Sequence, residues 1–339
     1  FQGSQKPSTS VSDHLTLATG GGMEAEWKHN AMTRLLNTFL LGICWGPLLI
    51  AQSRAEESPN ASHRPLVDGA TLTIRQTWSQ EPNGYDRTAL VRVPPGAGPF
   101  PVVIMFHGHG GSATTFLNSM GDRFDHIIRV APNGYHQSWN IDREKSQAPD
   151  VDFTRRLIAL LKTHPNVDSS NLSIYGNSNG SGLVNRLLIE LEAGTFQKAA
   201  GIVSQMISKM YQNGTFRYNS SGNNEYDEVI VPANGRKIIN IDGTDDLVIP
   251  YQGGHAVGTK FLSAQESIYR FAQAMGETGP MLTDTQGEPG KGTKSSAEIV
   301  RYAYLGGDVV HYKVLGGNHQ LSPHFQEVKD LIADFILKK

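Results

Sequence analysis

One stretch of the chain, Gly176-Asn-Ser-Asn-Gly180, has the residue types and spacing of a nucleophile site. A serine at the apex of a sharp strand-to-helix turn needs small residues two before and two after it, because side chains there would collide with neighbouring backbone. The helix that starts at the serine also aims free N–H groups and a positive dipole end at the same spot. Ser178 is therefore the candidate nucleophile, against the plainer reading of a structural turn serine. A developing oxyanion then needs donors from an earlier loop, and Phe106-His-Gly-His-Gly-Gly111 follows a buried apolar run and brings glycine-rich backbone close to a substrate carbonyl. The backbone N–H groups of His109 and Asn179 are the two expected donors, with the His109 side chain as readily a packing or capping group.

A serine hydroxyl is a weak nucleophile until a base takes its proton. On scaffolds of this kind the partners follow in chain order Ser, Asp or Glu, His, so the base belongs near the C-terminus, just after a strand. His319, in Leu315-Gly-Gly-Asn-His319 after Val309 to Val314, fits that place better than His255, His311 or His324. The acid belongs after a strand between them, where Ile238 to Tyr251 offers Asp242, Asp245 and Asp246. Asp242 ends the strand, and the turn beyond it is better placed to reach a histidine ring. Asp246 is the expected acid, with Asp245 its rival. A histidine base acts only when neutral, so activity is expected to fall below roughly pH 6.

Elements that can hold such groups are present. Thr71 to Trp78 and Thr88 to Val93 alternate as strands do, with Asn83-Gly84 between them as a hairpin turn signal. Val102 to Phe106 is continuously apolar, as a strand buried on both faces would be. Ile127 to Val130, Leu172 to Tyr175, Ala199 to Val203, Ile238 to Ile241 and Val309 to Val314 complete the strands. Helical patterns lie between them at Ala113 to Met120, Val151 to Thr163, Ser178 to Glu192, Ala264 to Met275 and Phe325 to Leu337. This alternation predicts an α/β fold with a mostly parallel, doubly wound sheet flanked by helices, and catalytic groups at the strands' carboxyl ends. Gln205 to Asn234 and Glu277 to Ser296 are polar and read as insertions over the site or as surface loops.

The chain has 339 residues, 30 Lys+Arg against 32 Asp+Glu, and a formal charge of −2. That balance gives no electrostatic reason to expect nucleic acid or an anionic membrane. Phe1-Gln2-Gly3 reads as a protease-cleavage scar and residues 1–31 as scar and leader, with a start at Met23 or Met32. Arg34, an apolar run from Leu35 to Ile50 broken by Gly42, Gly46 and Pro47, and Ser53-Arg54-Ala55 describe a secretory signal peptide over 32–55. Cleavage after Ala55 would remove Cys44, the one cysteine, and leave a single catalytic domain over 56–339. Export without disulfides points to a secreted or periplasmic bacterial protein that does not associate with the membrane after cleavage.

Taken together, these motifs resemble the polyhydroxybutyrate depolymerase and feruloyl esterase group of α/β-hydrolases. The resemblance rests on Gly176-Asn-Ser-Asn-Gly180 with Asn185-Arg186, the Asp242-Gly-Thr-Asp-Asp-Leu-Val-Ile-Pro-Tyr251 stretch and the His107-Gly-His-Gly-Gly111 loop. Gly316-Gly-Asn-His319, Ala131-Pro-Asn-Gly-Tyr135 and Ser138-Trp139-Asn140 complete it. It implies the α/β-hydrolase fold in one domain and a monomeric serine carboxylesterase acting on short-acyl, feruloyl-type or polyester substrates. Ser178, Asp246 and His319 would be its triad, and Trp139, His107 and Tyr251 would face substrate. The group usually has His where Asp242 stands, Pro where Leu247 stands, and a Trp soon after the catalytic His, where this chain has Gln320-Leu-Ser-Pro323. No appended polymer-adsorption module is expected after His319. A peptidase or thioesterase on the same scaffold, or a hydrolase-fold binding protein without activity, are the alternatives. No cofactor is called for: His107 and His109 lack the spacing of a zinc site, and Gly108-His-Gly-Gly111 is neither a phosphate loop nor a dinucleotide fingerprint.

Overall fold

The computed structural model describes residues 64–290 and 298–338; the leader and signal-peptide expectations for 1–55 lie outside them. The strands that matter for the site are β1 (Thr71–Trp78), β2 (Glu81–Arg92), β3 (Phe100–Phe106), β4 (Ile128–Pro132), β5 (Val167–Asn177), β6 (Lys198–Ile202), β7 (Lys237–Gly243), β8 (Ile299–Tyr304) and β9 (Val309–Val314). They lie in one sheet in the order β1-β2-β4-β3-β5-β6-β7-β9-β8, with a short edge strand Glu288–Pro289 beyond β8. The pairs β4–β3, β3–β5, β5–β6, β6–β7 and β7–β9 are parallel, and β1–β2, β2–β4 and β8–β9 are antiparallel. This is the α/β-hydrolase fold: a sheet parallel through its centre, with antiparallel strands at both edges.

The helices are α1 (Ala113–Leu117), α2 (Asp150–Leu161), α3 (Asn179–Glu190), α4 (Ala264–Ala274) and α5 (Phe325–Leu337). Alternation along β3 shows why the apolar run needs cover on both sides. Val102, Ile104 and Phe106 join the core of Leu157, Leu183, Leu187 and Phe271 from α2, α3 and α4. Val103 and Met105 join Val328, Leu331 and Ile332 from α5. Each such side chain, once buried, contributes about 1.5–3 kcal/mol before the entropy of ordering it is subtracted. Two ion pairs are buried in this frame among the described residues: Arg186 Nε meets Glu190 Oε1 at 2.7 Å within α3, and Arg87 Nη2 meets Asp150 Oδ1 at 2.6 Å with both side chains fully covered. Asp150 Oδ2 accepts the Asn140 N–H at 2.6 Å, so the pair also ties the segment after β4 to α2.

The hairpin differs from the expected one. Trp78 pairs with Glu81, so the turn is Ser79-Gln80, and Asn83-Gly84 lies inside β2. The register slips between Gln76 and Trp78, and Gly84 takes φ +85° there, as a bulge residue does. The Asn-Gly signal thus marks a bulge, whose Asn83 and Gly84 carbonyls accept from Arg75 at 2.7 and 3.2 Å. The polar stretch 205–234 carries a small antiparallel sheet of Tyr211–Gln212, Thr215–Tyr218 and Glu228–Ile230. Gly254–Ala256 and Thr259–Phe261 form a second hairpin before α4. Strand β8 had no sequence expectation, and it follows the stretch 291–297 that lies outside the described residues. No helix among the described residues is long and apolar enough to cross a membrane.

Candidate active site

Ser178 sits between β5 and α3 at φ 52° and ψ −119°, left-handed backbone that a serine rarely adopts. The surrounding glycines explain how it is held. A Cβ on Gly176 would lie 2.3 Å from the Gly180 carbonyl oxygen, and one on Gly180 would lie 2.2 Å from that of Phe106. Only bare backbone lets β5, α3 and the end of β3 meet this closely. The Ser178 N–H donates to Ile202 O at 3.0 Å, which fastens the turn to β6 as well.

The loop after β9 brings His319 to the serine, with His319 Nε2 2.9 Å from Ser178 Oγ. Its other ring nitrogen, Nδ1, lies 2.7 Å from Asp246 Oδ2. The second oxygen, Asp246 Oδ1, accepts the N–H groups of Val248 and Ile249 at 2.8 and 2.9 Å. With its side chain 1% exposed, Asp246 is a dry carboxylate held on all sides. Two loops must approach for this contact, and Gly243 allows it, since a Cβ there would sit 2.0 Å from Gly317 O. Asp245 N donates to the same carbonyl at 2.9 Å, and among the described residues its exposed carboxyl accepts only from Thr244 Oγ1. Asp246 rather than Asp245 therefore faces the imidazole.

The competing histidines are engaged elsewhere. His311 is fully buried within β9, accepting from the Tyr251 hydroxyl at Nε2 (2.8 Å) and donating from Nδ1 to Asn240 Oδ1 (3.1 Å). Burial pushes its pKa down to about 3, so it is neutral. His324 lies 3.4 Å from Glu298 and 3.6 Å from Glu327, and His255 is exposed in the hairpin before α4.

The oxyanion loop abuts the nucleophile turn. A Cβ on Gly108 would be 3.5 Å from that of Ser178. The His109 N–H has no acceptor among the described residues, and Asn179, the first residue of α3, has no intrahelical carbonyl behind it. Their side chains are joined through Ser138: His109 Nδ1 is 3.1 Å from Ser138 Oγ, which donates to Asn179 Oδ1 at 3.3 Å. Asn179 Oδ1 also accepts the Trp139 N–H at 2.7 Å, while its Nδ2 donates to Trp139 O at 3.1 Å and Glu144 Oε1 at 3.3 Å. Sequence reading placed Ser138 in a motif but gave it no role, since nothing in Tyr135-His-Gln-Ser138 marks it as a bridge between His109 and Asn179.

Ser178 opens onto a cavity of about 170 Å³ whose walls include Ile141, Ile207, Ile249 and Phe261, with Arg143 and Glu144 along one side. Three expected substrate contacts are absent from that lining. Trp139 is fully buried and donates from its indole to His107 O at 2.8 Å. His107 is 1% exposed, and its ring donates to Gly108 O (2.7 Å) and accepts from Gly134 N (3.0 Å). Burial lowers its pKa, consistent with a neutral ring that braces the oxyanion loop from behind. Tyr251 is 5% exposed and turned to His311. All three support the site from the core side, because their hydrogen-bond partners lie there. A larger cleft of about 680 Å³, near Lys198, Lys237 and Asp308, lies at the opposite ends of the strands and holds none of these groups.

Asp242 stands apart from this ordered chemistry. It is 2% exposed, and neither carboxyl oxygen has a hydrogen-bond partner among the described residues. Burial raises its pKa to about 8, the Asp246 charge adds to the rise, and the nearby polar groups of Asn240 and Ser204 offset it in part. Asp242 therefore keeps its proton at neutral pH. No group of three or more His, Cys, Asp or Glu side chains among the described residues is placed to hold a metal ion.

No family model matches the chain. It is similar to feruloyl esterase B of Piromyces equi, 28% identical over 156 residues, which cover 44% of this chain and 26% of that protein. The chain thus spans about a quarter of the length of the curated relative it matches. Among solved structures it is similar to an acetyl xylan esterase from Aspergillus awamori, with TM-score 0.48, 13% identity, and 79% and 100% of the two chains covered. A poly(3-hydroxybutyrate) depolymerase from Bordetella parapertussis gives TM-score 0.43 and 14% identity over 78% and 89%.

Proposed function

We propose that this chain is a serine carboxylesterase in which Ser178 is the nucleophile, His319 the general base and Asp246 the acid that orients it. The observation that carries the reading is the continuous contact from Asp246 Oδ2 through His319 to Ser178 Oγ, at 2.7 and 2.9 Å, beneath an unused pair of backbone donors. In acylation His319 Nε2 takes the Ser178 proton as Oγ bonds to the ester carbonyl carbon. The oxyanion is held by the His109 and Asn179 N–H groups. The carbon–oxygen bond to the alcohol then breaks, and the alcohol leaves with the proton from His319. Water repeats the sequence on the acyl-enzyme and releases the acid.

Similarity to a feruloyl esterase supports ester hydrolysis over peptidase or thioesterase chemistry. The cavity, about 170 Å³, supports an acyl group no larger than a short chain or a single ring, since a cavity of about 150 Å³ holds one benzene. The motif resemblance to polyester and feruloyl esterases supports the same class. The apolar run before Ala55 supports a secreted or periplasmic location, which cell fractionation and N-terminal sequencing of the exported chain would test. The activity is tested with p-nitrophenyl butyrate: the wild type turns it over, and Ser178→Ala does so at least about 10³-fold more slowly with an unchanged fold. Equal rates in the two proteins would overturn the assignment.

A further inference from the structure

The cavity that Ser178 lines is also lined by three consecutive charged residues, Asp142, Arg143 and Glu144, and two of them are spoken for. Asp142 is paired with Lys209 Nζ at 2.8 Å and accepts from the Thr259 hydroxyl. Glu144 Oε2 accepts the N–H groups of Ile141 and Asp142 at 2.8 and 3.0 Å, and its Oε1 accepts from Asn179 at 3.3 Å. Arg143, between them, makes no hydrogen bond or ion pair with any described residue, although it lines the same cavity as Ser178. Its side chain is nevertheless positioned. The Gly254–Phe261 hairpin turns under it at Gly258, φ +84°, where a Cβ would come within 3.5 Å of Arg143 Cδ and 3.6 Å of Nη1.

Arg143 is exposed, and on an open surface such an arginine is simply hydrated. Here it is laid along a hairpin and lines the same cavity as Ser178, where the two neighbouring carboxylates are already engaged, so it presents a fork of donors that nothing among the described residues receives. We propose that Arg143 forms an anion subsite and that the substrate is an ester carrying a carboxylate in addition to the ester group that is cut. This rests on the esterase reading and narrows its substrate class. A carboxylate fits better than a phosphate dianion because Arg143 is the single unpaired cation in the lining among the described residues, the Lys209 charge being matched by Asp142, and the Glu144 carboxylate beside it would repel a second negative charge. Half-esters of dicarboxylic acids and short oligoesters that end in a free acid both have this chemistry. The apolar walls, Ile141, Ile207 and Phe261, take the carbon chain between the two ends.

The test compares monoethyl adipate with ethyl hexanoate, which differ by a terminal carboxylate in place of a methyl group, in the wild type, Arg143→Gln and Arg143→Lys. The quantity read is the ratio of kcat/KM for the anionic over the neutral ester. The wild-type ratio should exceed that of Arg143→Gln by about tenfold, as a charge-assisted pair beside a partly desolvated cavity gives. Arg143→Lys should recover part of it, and raising the salt should shrink the wild-type ratio. A ratio in Arg143→Gln within twofold of the wild type overturns the anion subsite while leaving the esterase reading intact. Hydrolysis of neither ester by the wild type overturns both.

Discussion

Gly180→Ala tests how the nucleophile turn and the oxyanion loop are locked together. The added Cβ would lie 2.2 Å from Phe106 O and 2.7 Å from His107 O, both of them backbone atoms that no rotamer change can move aside. Ordinary carbon contacts sit at about 3.5 Å, so α3 and the end of β3 must part by about 1 Å. Overpacking of this kind costs about 1–3 kcal/mol of stability. The larger effect falls on chemistry. His107 is followed directly by Gly108 and His109, so the carbonyls that must retreat carry the oxyanion loop with them, and a misplacement of about 1 Å costs about 10²-fold in rate. Thermal unfolding and kcat for p-nitrophenyl acetate should therefore show a modest loss of stability and a kcat reduced by about two orders of magnitude. Gly194→Ala is the control: Gly194 has φ +77° but nothing within 4 Å of a new Cβ, so it should lose about 1 kcal/mol and keep its kcat. A Gly180→Ala enzyme with kcat within threefold of the wild type would refute the reasoning.

Asp246→Asn should lower kcat by about 10³–10⁴-fold, since the amide cannot hold the imidazole in its working tautomer, while Asp245→Asn should change it less than threefold; steady-state kinetics that gave the reverse order would move the acid to Asp245. Ser138→Ala should reduce kcat by about tenfold with little change in KM, because Ser138 links His109 and Asn179, the proposed oxyanion donors, and Ser138→Thr should restore part of the loss. Asp242→Asn should flatten the pH dependence of stability. Between about 3.8, the unfolded value, and about 8, the folded chain keeps a proton that the unfolded chain has released, so stability falls as pH rises through that window. The variant should accordingly be more stable than the wild type by a few kcal/mol in urea at pH 8, with the gain shrinking toward pH 4; a gain that is the same at both pH values would contradict a buried neutral Asp242.

Residues constrained by backbone were readable from sequence. Gly176 and Gly180 mark Ser178 and Gly317 precedes His319, because close approaches at these turns exclude side chains, while Gly316 beside it takes φ +68°, which favours glycine. The buried run of β3 was readable for a similar reason: a strand covered on both faces has no polar positions. Exposure was not readable. Trp139, His107 and Tyr251 stand in motifs associated with substrate, yet they face inward, because the partners that claim their polar atoms, His107 O, Gly134 N and His311, come from elements remote in sequence. The Asn83-Gly84 pair misled for a local reason, as a left-handed glycine serves a bulge as well as a turn. The small sheet within 205–234 escaped notice because its strands are two to four residues long, too short for any period to show.

The most direct test of the account is covalent labelling of the intact chain with a fluorophosphonate, followed by mass spectrometry of the peptides. A hydroxyl activated by His319 and facing two oxyanion donors reacts with such a probe, whereas ordinary serines do not. The account predicts one label per chain, on Ser178, with labelling absent in Ser178→Ala and slowed by orders of magnitude in His319→Ala. No label on Ser178 in a folded chain, or equal labelling of Ser178→Ala, would contradict it.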